Sequence, residues 1–211
     1  MKPIVVKLGG STAGHAEMQR WIDLLASASF PLVIVPGGGP FADQVRTSQK
    51  RLGYSDDAAH AMAILAMDQF GIAIAERHPQ LRVARSISQI GEVLDASATP
   101  VWLPSSMTLD AADIPSSWQI TSDSLGAWLA RQLHADDLLL IKQTDEYTHY
   151  TTVPELAAAG IVDSMLPDML GKGANLHVAG PAMLDTLDLP LASIPGRRIM
   201  RHRQTEAMGA Q

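Results

Sequence analysis

The residues of this chain that could do chemistry stand at the ends of short apolar runs. Lys7 interrupts the run Ile4-Val5-Val6-Lys7-Leu8, which is followed at once by Gly9-Gly10-Ser11. The run reads as a buried strand and the glycines as its closing turn. Ala16 to Ser27 then shows a helical pattern, with Met18, Trp21, Ile22, Leu24 and Leu25 on the apolar side. Strand, glycine turn and helix in that order let backbone N–H groups approach an anion, and the helix start adds a partial positive charge. Lys7 would carry a mobile ammonium to the same mouth. This is a phosphate site in outline. Each part also has a plainer reading: Gly-Gly as a tight turn, and Lys7 as a strand-end lysine reaching solvent.

The same logic occurs a second time. Phe30-Pro31-Leu32-Val33-Ile34-Val35-Pro36 is again a short apolar strand, and it ends in Gly37, Gly38 and Gly39. A helical stretch follows from Phe41 to about Ser48. Consecutive glycines cost backbone entropy on folding, and a turn alone needs fewer. Two glycine-rich mouths on consecutive parallel strands face each other across the C-terminal edge of a sheet, where open α/β sheets bind ligands.

The elements that must position these residues alternate along the chain. The length of 211 residues suits one domain over 1–211 with a real core. Apolar residues make up 46% and are spread throughout, so disorder is not expected. A net charge of −6 argues against broad nucleic-acid binding and makes individual lysines more telling. The absence of cysteine excludes disulfides and cysteine metal sites and fits a reducing compartment. No signal peptide and no apolar run of bilayer length is read in the sequence. A soluble cytoplasmic protein, with no membrane partner, is expected.

Ser55-Asp56-Asp57 opens a helix to about Glu76 that is apolar on most sides, which places it inside the fold or at a subunit contact. His60 lies one turn into it and reads as a core or interface histidine rather than a substrate contact. No second histidine or cysteine stands at metal spacing, so no metal site is expected. Leu81 to Ala84 and Val101 to Pro104 read as strands, Ser88 to Leu94 as a short amphipathic segment, and Ser105 to Asp113 as loop and turn. Trp102 and Trp118 read as packing residues. Thr121 to Ser124 is an N-cap cluster before an Ala-rich helix, and Asp123 alone would be an ordinary first-turn carboxylate. Leu138 to Ile141 is the strongest strand of the second half and leads into Lys142-Gln143-Thr144-Asp145. Lys142 is either a second phosphate-side lysine or a strand-end lysine in solvent. Short helices are read over Pro154 to Ala159 and Ser164 to Leu170, and strands at Leu176 to Gly180 and Gly196 to Ile199. Arg197, Arg198, Arg201 and Arg203 could draw an anion, although a frayed tail is the plainer reading. Strands alternating with helices imply a three-layer α/β/α domain with a mainly parallel sheet.

The pair Val-Lys-Leu-Gly-Gly-Ser and Pro-Gly-Gly-Gly-Pro, with Thr-Ser-Asp-Ser-Leu-Gly-Ala-Trp-Leu-Ala, resembles the amino acid kinase superfamily from Val5 to Ile199. No P-loop pattern is present. The resemblance implies the amino acid kinase or carbamate kinase-like fold and transfer of the γ-phosphoryl group of ATP, with Mg²⁺, to a small phosphate or carboxylate acceptor. It implies catalytic roles for Lys7, Asp123 and Lys142, with Asp123 beneath the transferred group orienting the lysines. Gly9, Gly10 and Ser11 would bind phosphate, and Gly37, Gly38 and Gly39 would approach the acceptor. Thr144 and Asp145 match the start of a Thr-Asp-x-x-Gly turn on the nucleotide side, but the glycine is absent. A Gly-Gly-Met-x-x-Lys motif is replaced by Ser164-Met165-Leu166-Pro167-Asp168, leaving Lys172 as the nearest candidate for its lysine.

Within the superfamily, Pro-Gly-Gly-Gly-Pro-Phe-Ala-Asp and the stretch from Asp56 to Gln69 resemble a small subgroup. It contains the kinase of methanofuran biosynthesis, which acts on [5-(aminomethyl)furan-3-yl]methyl phosphate. The resemblance leaves open a different monophosphate or carboxylate acceptor, and a non-catalytic nucleotide- or oxyanion-binding protein on the same fold. The apolar helix from Ala58 to Ala75 makes a homo-oligomer the expected state.

Overall fold

The alternating runs assemble into a seven-stranded sheet in the computed structural model, which describes residues 2–202. Arg203 lies outside them. The strands are β1 (Ile4–Leu8), β2 (Leu32–Pro36), β3 (Leu81–Ala84), β4 (Thr99–Trp102), β5 (Asp137–Ile141), β6 (Asn175–Ala179) and β7 (Arg197–Ile199). Across the sheet they run β3-β4-β2-β1-β5-β6-β7. All neighbours are parallel except β7, which is antiparallel to β6.

The helices are α1 (Ala16–Ala26), α2 (Gly39–Leu52), α3 (Asp56–Ala75), α4 (Ile87–Asp95), α5 (Ser105–Thr108), α6 (Ser122–Gln132), α7 (Val153–Ala158) and α8 (Leu166–Met169). They cover both faces of the sheet, giving a three-layer α/β/α sandwich with a mixed, mainly parallel sheet. β1 lies between β2 and β5, and it is apolar on both faces because both are covered. Its side chains alternate. Val6 and Leu8 join the apolar cluster that holds Trp21, Ile22 and Leu25 of α1. Val5 joins the opposite cluster, with Leu125 and Leu129 of α6. Lys7, two residues after Val5, therefore emerges on the α6 face at the C-terminal end of the sheet.

Two helices differ from the expectation. α2 continues to Leu52 because Lys50 and Arg51 form an exposed last turn. It stops at Gly53, whose φ of 72° gives a left-handed cap and whose N–H donates to Gln49 O at 2.9 Å. The first half of the segment expected as loop, from Ser105, forms the short α5. Asp68 holds it by accepting from the Ser105 N–H at 3.1 Å.

α3 is long and apolar enough by composition to cross a membrane, contrary to the expectation of no such run. It is a core helix. Ala59, Ile64, Phe70 and Ile74 are buried, while Met62, Leu65 and Ile72 stay exposed on its outer side. A Cβ on Gly71 would meet Pro36 at 3.1 Å, and one on Gly39 would meet the Phe70 ring at 3.1 Å. This turn of α3 thus sits over the C-terminal end of β2, and the preceding turns project beyond the sheet edge, paired with α2. Ser55 starts the helix by accepting the Ala58 N–H at 3.2 Å, and Asp56 and Asp57 complement the helix dipole. Ser55→Ala is expected to lower stability by about 1 kcal/mol, read as a lower urea midpoint at unchanged slope.

Candidate active site

Lys7 is central because its position in β1 gives it no route to solvent along the sheet. Its register partner on β5 is Leu140, and Lys142 follows Leu140 by two residues, so both lysines emerge on the α6 face. Asp123, in the first turn of α6, receives them. Lys7 Nζ lies 2.7 Å from Asp123 Oδ1 and Lys142 Nζ lies 2.5 Å from Oδ2. All three side chains are buried or nearly so. The bland readings of Lys7 and Lys142 as solvent lysines therefore do not hold.

Burial alone would push the Asp123 carboxyl up. The Lys142 and Lys7 ammoniums outweigh it and hold the group well below the usual carboxylate range. The stability this pairing contributes is fully present above the unfolded carboxylate value near pH ~4 and is lost as pH falls toward the depressed folded value. Burial pushes Lys142 down from the usual lysine value, Asp123 pulls it back, and Lys7 adds to the lowering.

Asp123 is held in turn by Asp163, which the sequence pattern did not single out. Asp163 accepts from the Thr121 N–H at 2.8 Å, the Thr121 hydroxyl at 2.6 Å and the Ser124 N–H at 2.9 Å. Its own N–H donates to Asp123 Oδ2 at 3.3 Å. The cap of α6 is thus supplied from some forty residues away, and Thr121, the first residue of the expected N-cap cluster, makes no side-chain cap bond.

The two glycine mouths meet backbone on backbone. A Cβ on Gly10 would lie 2.4 Å from Gly39 N, and one on Gly37 would lie 2.2 Å from Gly10 N. No other residue fits at these positions without moving the chain. Gly9 N–H donates to Ile141 O at 3.1 Å and Gly37 N–H to Leu8 O at 2.9 Å, which ties the mouth to β5 and β1. Gly10-Ser11-Thr12 forms a single 3₁₀ turn, fastened by the Thr12 hydroxyl on Gly9 O at 2.7 Å.

Beside the mouth opens a cavity of about 230 Å³. Lys7, Gly10, Ser11, Gly38 and Gly39 line its inner end, and α2, α3 and the segment from Trp118 to Ser122 form its walls. Arg46 of α2 stacks over Trp118 at 4.6 Å and pairs with Asp43 at 3.2 Å. Trp118 is therefore a cavity wall as well as a packing residue. His60 is buried as expected, and it also lines the cavity.

Thr144 and Asp145 sit at the same sheet edge, after β5. Asp145 accepts the Ala182 N–H at 3.2 Å and packs against Gly180, joining the loops after β5 and β6. Where the turn pattern would carry glycine stands Thr148, whose hydroxyl closes a 3₁₀ turn on Asp145 O at 2.7 Å. Lys172 requires correction. It lies in the loop before β6, beside Ala135 and Asp136 at the entry to β5. A five-residue strand spans about 16 Å, so Lys172 is at the far edge of the sheet from Lys7. Among the described residues no group of three or more His, Asp or Glu gathers as a metal site.

The model of the amino acid kinase family matches residues 2–148. This chain belongs to that family. As an amino acid kinase family chain, it is 29% identical over 143 residues to the [5-(aminomethyl)furan-3-yl]methyl phosphate kinase of Methanocaldococcus jannaschii. The match covers 67% of this chain and 66% of that relative. Its fold is similar to the uridylate kinase of Archaeoglobus fulgidus, with TM-score 0.62 and 17% identity over 88% of this chain and 95% of that one. The UMP kinase of Ureaplasma parvum gives TM-score 0.60 and 13% identity over 86% and 90% of the two chains. These likenesses establish the architecture.

Asp163→Ala would leave the first N–H groups of α6 without their acceptor. It is expected to cost about 1–3 kcal/mol, measured by urea denaturation, with Asp163→Asn intermediate.

Proposed function

We propose that this chain transfers the γ-phosphoryl group of ATP to a small phosphorylated acceptor bound in the cavity beside Lys7. We assign [5-(aminomethyl)furan-3-yl]methyl phosphate as that acceptor, giving the diphosphate. One observation carries the reaction class: two ammoniums converge on one buried carboxylate beside a double glycine mouth. The two lysines are held at one place, and Lys7 also lines the cavity, so an ammonium stands ready at the mouth for phosphate charge. Phosphoryl transfer spreads negative charge over the moving group, and catalysis is chiefly positioning and neutralisation.

In this reading an acceptor phosphate oxygen forms the new P–O bond as the bond to the bridging oxygen of ADP breaks. The acceptor is already anionic near neutral pH, so no general base is needed. Lys7 and Lys142 hold the transferring group, and Asp123 holds the lysines. Gly9, Gly10 and Ser11 face the donor phosphates, Gly37, Gly38 and Gly39 the acceptor, and Thr144 and Asp145 the nucleotide side. The donor set fits a polyphosphate. Both Asp123 oxygens are already engaged by lysines, so Mg²⁺ would be held mainly by phosphate oxygens and water.

The acceptor assignment is supported by the relative from Methanocaldococcus jannaschii and by the cavity, whose volume of about 230 Å³ suits a compact molecule. The exposed apolar side of α3 suits contact with a second copy, in a soluble cytoplasmic setting. A second reading, binding without transfer, draws on the missing glycine at Thr148 and on the distance of Lys172 from Lys7, which leave the family's turn and second lysine motif incomplete.

The test is ADP release from Mg-ATP with the aminomethylfuran phosphate, uridylate, isopentenyl phosphate, acetylglutamate and aspartate. Turnover with the furan phosphate is expected. ATP binding with no ADP release on any acceptor would favour the second reading. Lys7→Ala is expected to lower turnover by ~10²- to 10³-fold with the circular dichroism spectrum and thermal transition retained. Full activity in the folded variant would refute the assignment. The lowered Lys142 value predicts that activity falls on the alkaline side at a pH below the usual lysine value of 10.5. Lys142→Arg is expected to move that limb upward in a kcat/KM profile.

A further inference from the structure

We infer that the outer end of the cavity reads a primary ammonium on the acceptor, with His60 as the residue that accepts its hydrogen bond. This rests on the acceptor reading above and adds the residues that select for one end of the molecule.

The cavity is polarised along α3. Its inner end offers donors: the Lys7 ammonium and the backbone of Gly10, Gly38 and Gly39. Met67 stands near that end, one turn before Phe70, which packs on Gly39. His60 lies seven residues before Met67 on the same helix, about 10 Å along the axis. The two ends are thus separated by roughly the length of a small acceptor.

His60 is set as an acceptor by its own partner. Its Nδ1 faces the Ser117 carbonyl at 3.2 Å. A carbonyl can only accept, so Nδ1 carries the ring proton and Nε2 presents a lone pair. Nε2 has no partner among the described residues and is not among the sealed polar atoms. The ring lines the cavity, so the lone pair opens into it. Burial lowers the pKa of this imidazole and favours the neutral form.

A carboxylate stands on each of the two helices that wall the cavity. Asp43 lines the cavity and Asp57 acts on the His60 ring from the first turn of α3. Arg46 is the opposing cation, and it is already engaged by Asp43 and by the Trp118 face. Asp57 makes no ion pair among the described residues, so its charge remains for a cation beside His60. A ligand anionic at one end and cationic at the other would set its anion at Lys7 and the glycine backbones and its cation at His60 and Asp57. A hydroxyl would satisfy Nε2 but not the charge.

The experiment is calorimetric binding to the full chain of two probes, with ADP release measured in parallel. The probes are [5-(aminomethyl)furan-3-yl]methyl phosphate and (5-methylfuran-3-yl)methyl phosphate, which lacks only the amine. The wild type is expected to bind the amine at least about tenfold more tightly. His60→Leu is expected to weaken the amine-bearing probe to the level of its analogue, and Asp43→Asn to reduce the ratio part of the way. Should His60→Leu fail to fold, the wild-type ratio and Asp43→Asn still decide. Equal affinities in the wild type, or a ratio that survives His60→Leu, overturn the inference, and ADP release with both probes then leaves the kinase reading standing. Binding of neither probe overturns the acceptor reading and this inference together.

Discussion

Asp123 is a carboxylate that could not stay ionised in its position without the two ammoniums beside it. Burying one charge in a protein interior is strongly unfavourable, and removing one member of a buried cluster leaves the others uncompensated. The cluster of Lys7, Asp123 and Lys142 therefore ties together three elements that are otherwise independent: β1, β5 and the start of α6. The register of β1 on β5 puts Lys7 opposite Leu140. A slip of one residue would turn Lys7 to the α1 face, into the cluster of Trp21 and Leu25. The apolar alternation of the central strands is thus what delivers the charges to one place.

The buried lysines have consequences for what surrounds them. Lys7 shares the inner end of the cavity with the backbones of Gly10, Gly38 and Gly39. The glycine mouths supply that environment only because their backbones touch, within the distance a Cβ would occupy. Asp163 contributes in a different way. It satisfies the N–H groups of Thr121 and Ser124, so the helix start is capped by a carboxylate from outside and Asp123 is left free for the lysines. Two aspartates forty residues apart divide the tasks that one capping residue could not perform together.

The local patterns were legible in the sequence. Lys7, the glycines and Asp123 each stand at the end of a short apolar run or the start of a helix, and such positions follow from periodicity. The central strands were legible for the same reason, since burial on both faces demands unbroken apolar runs. What was not legible is whatever depends on distant partners. Whether Lys142 reached solvent or Asp123 depended on which strand lay beside β1, and neighbours in the sheet are not neighbours in the chain. Lys172 was placed by proximity in sequence to a missing motif, yet the intervening chain returns to the entry edge of β6. Asp163 sits in a stretch with no periodic signature at all. The length of α3 was evident, but its apolar composition could not distinguish a core helix from a spanning one; its packing over Pro36 and Gly39 does.

The size and position of the cavity follow from the same helix. α3 extends past the sheet edge, so its first turns have no strand to cover and instead wall a space against α2 and the Trp118 segment. Arg46, by stacking on Trp118, bridges the two walls and limits how wide that space can become. The inner end is bounded by the lysine cluster and the glycine backbones, neither of which can recede: the first is fixed by charge, the second by contact. The cavity thus has a length set by helix geometry, with Lys7 at its inner end and His60, Asp43 and Arg46 along its walls. Selectivity in such a site comes from the placement of charge along a rigid wall, and not from any single strong contact.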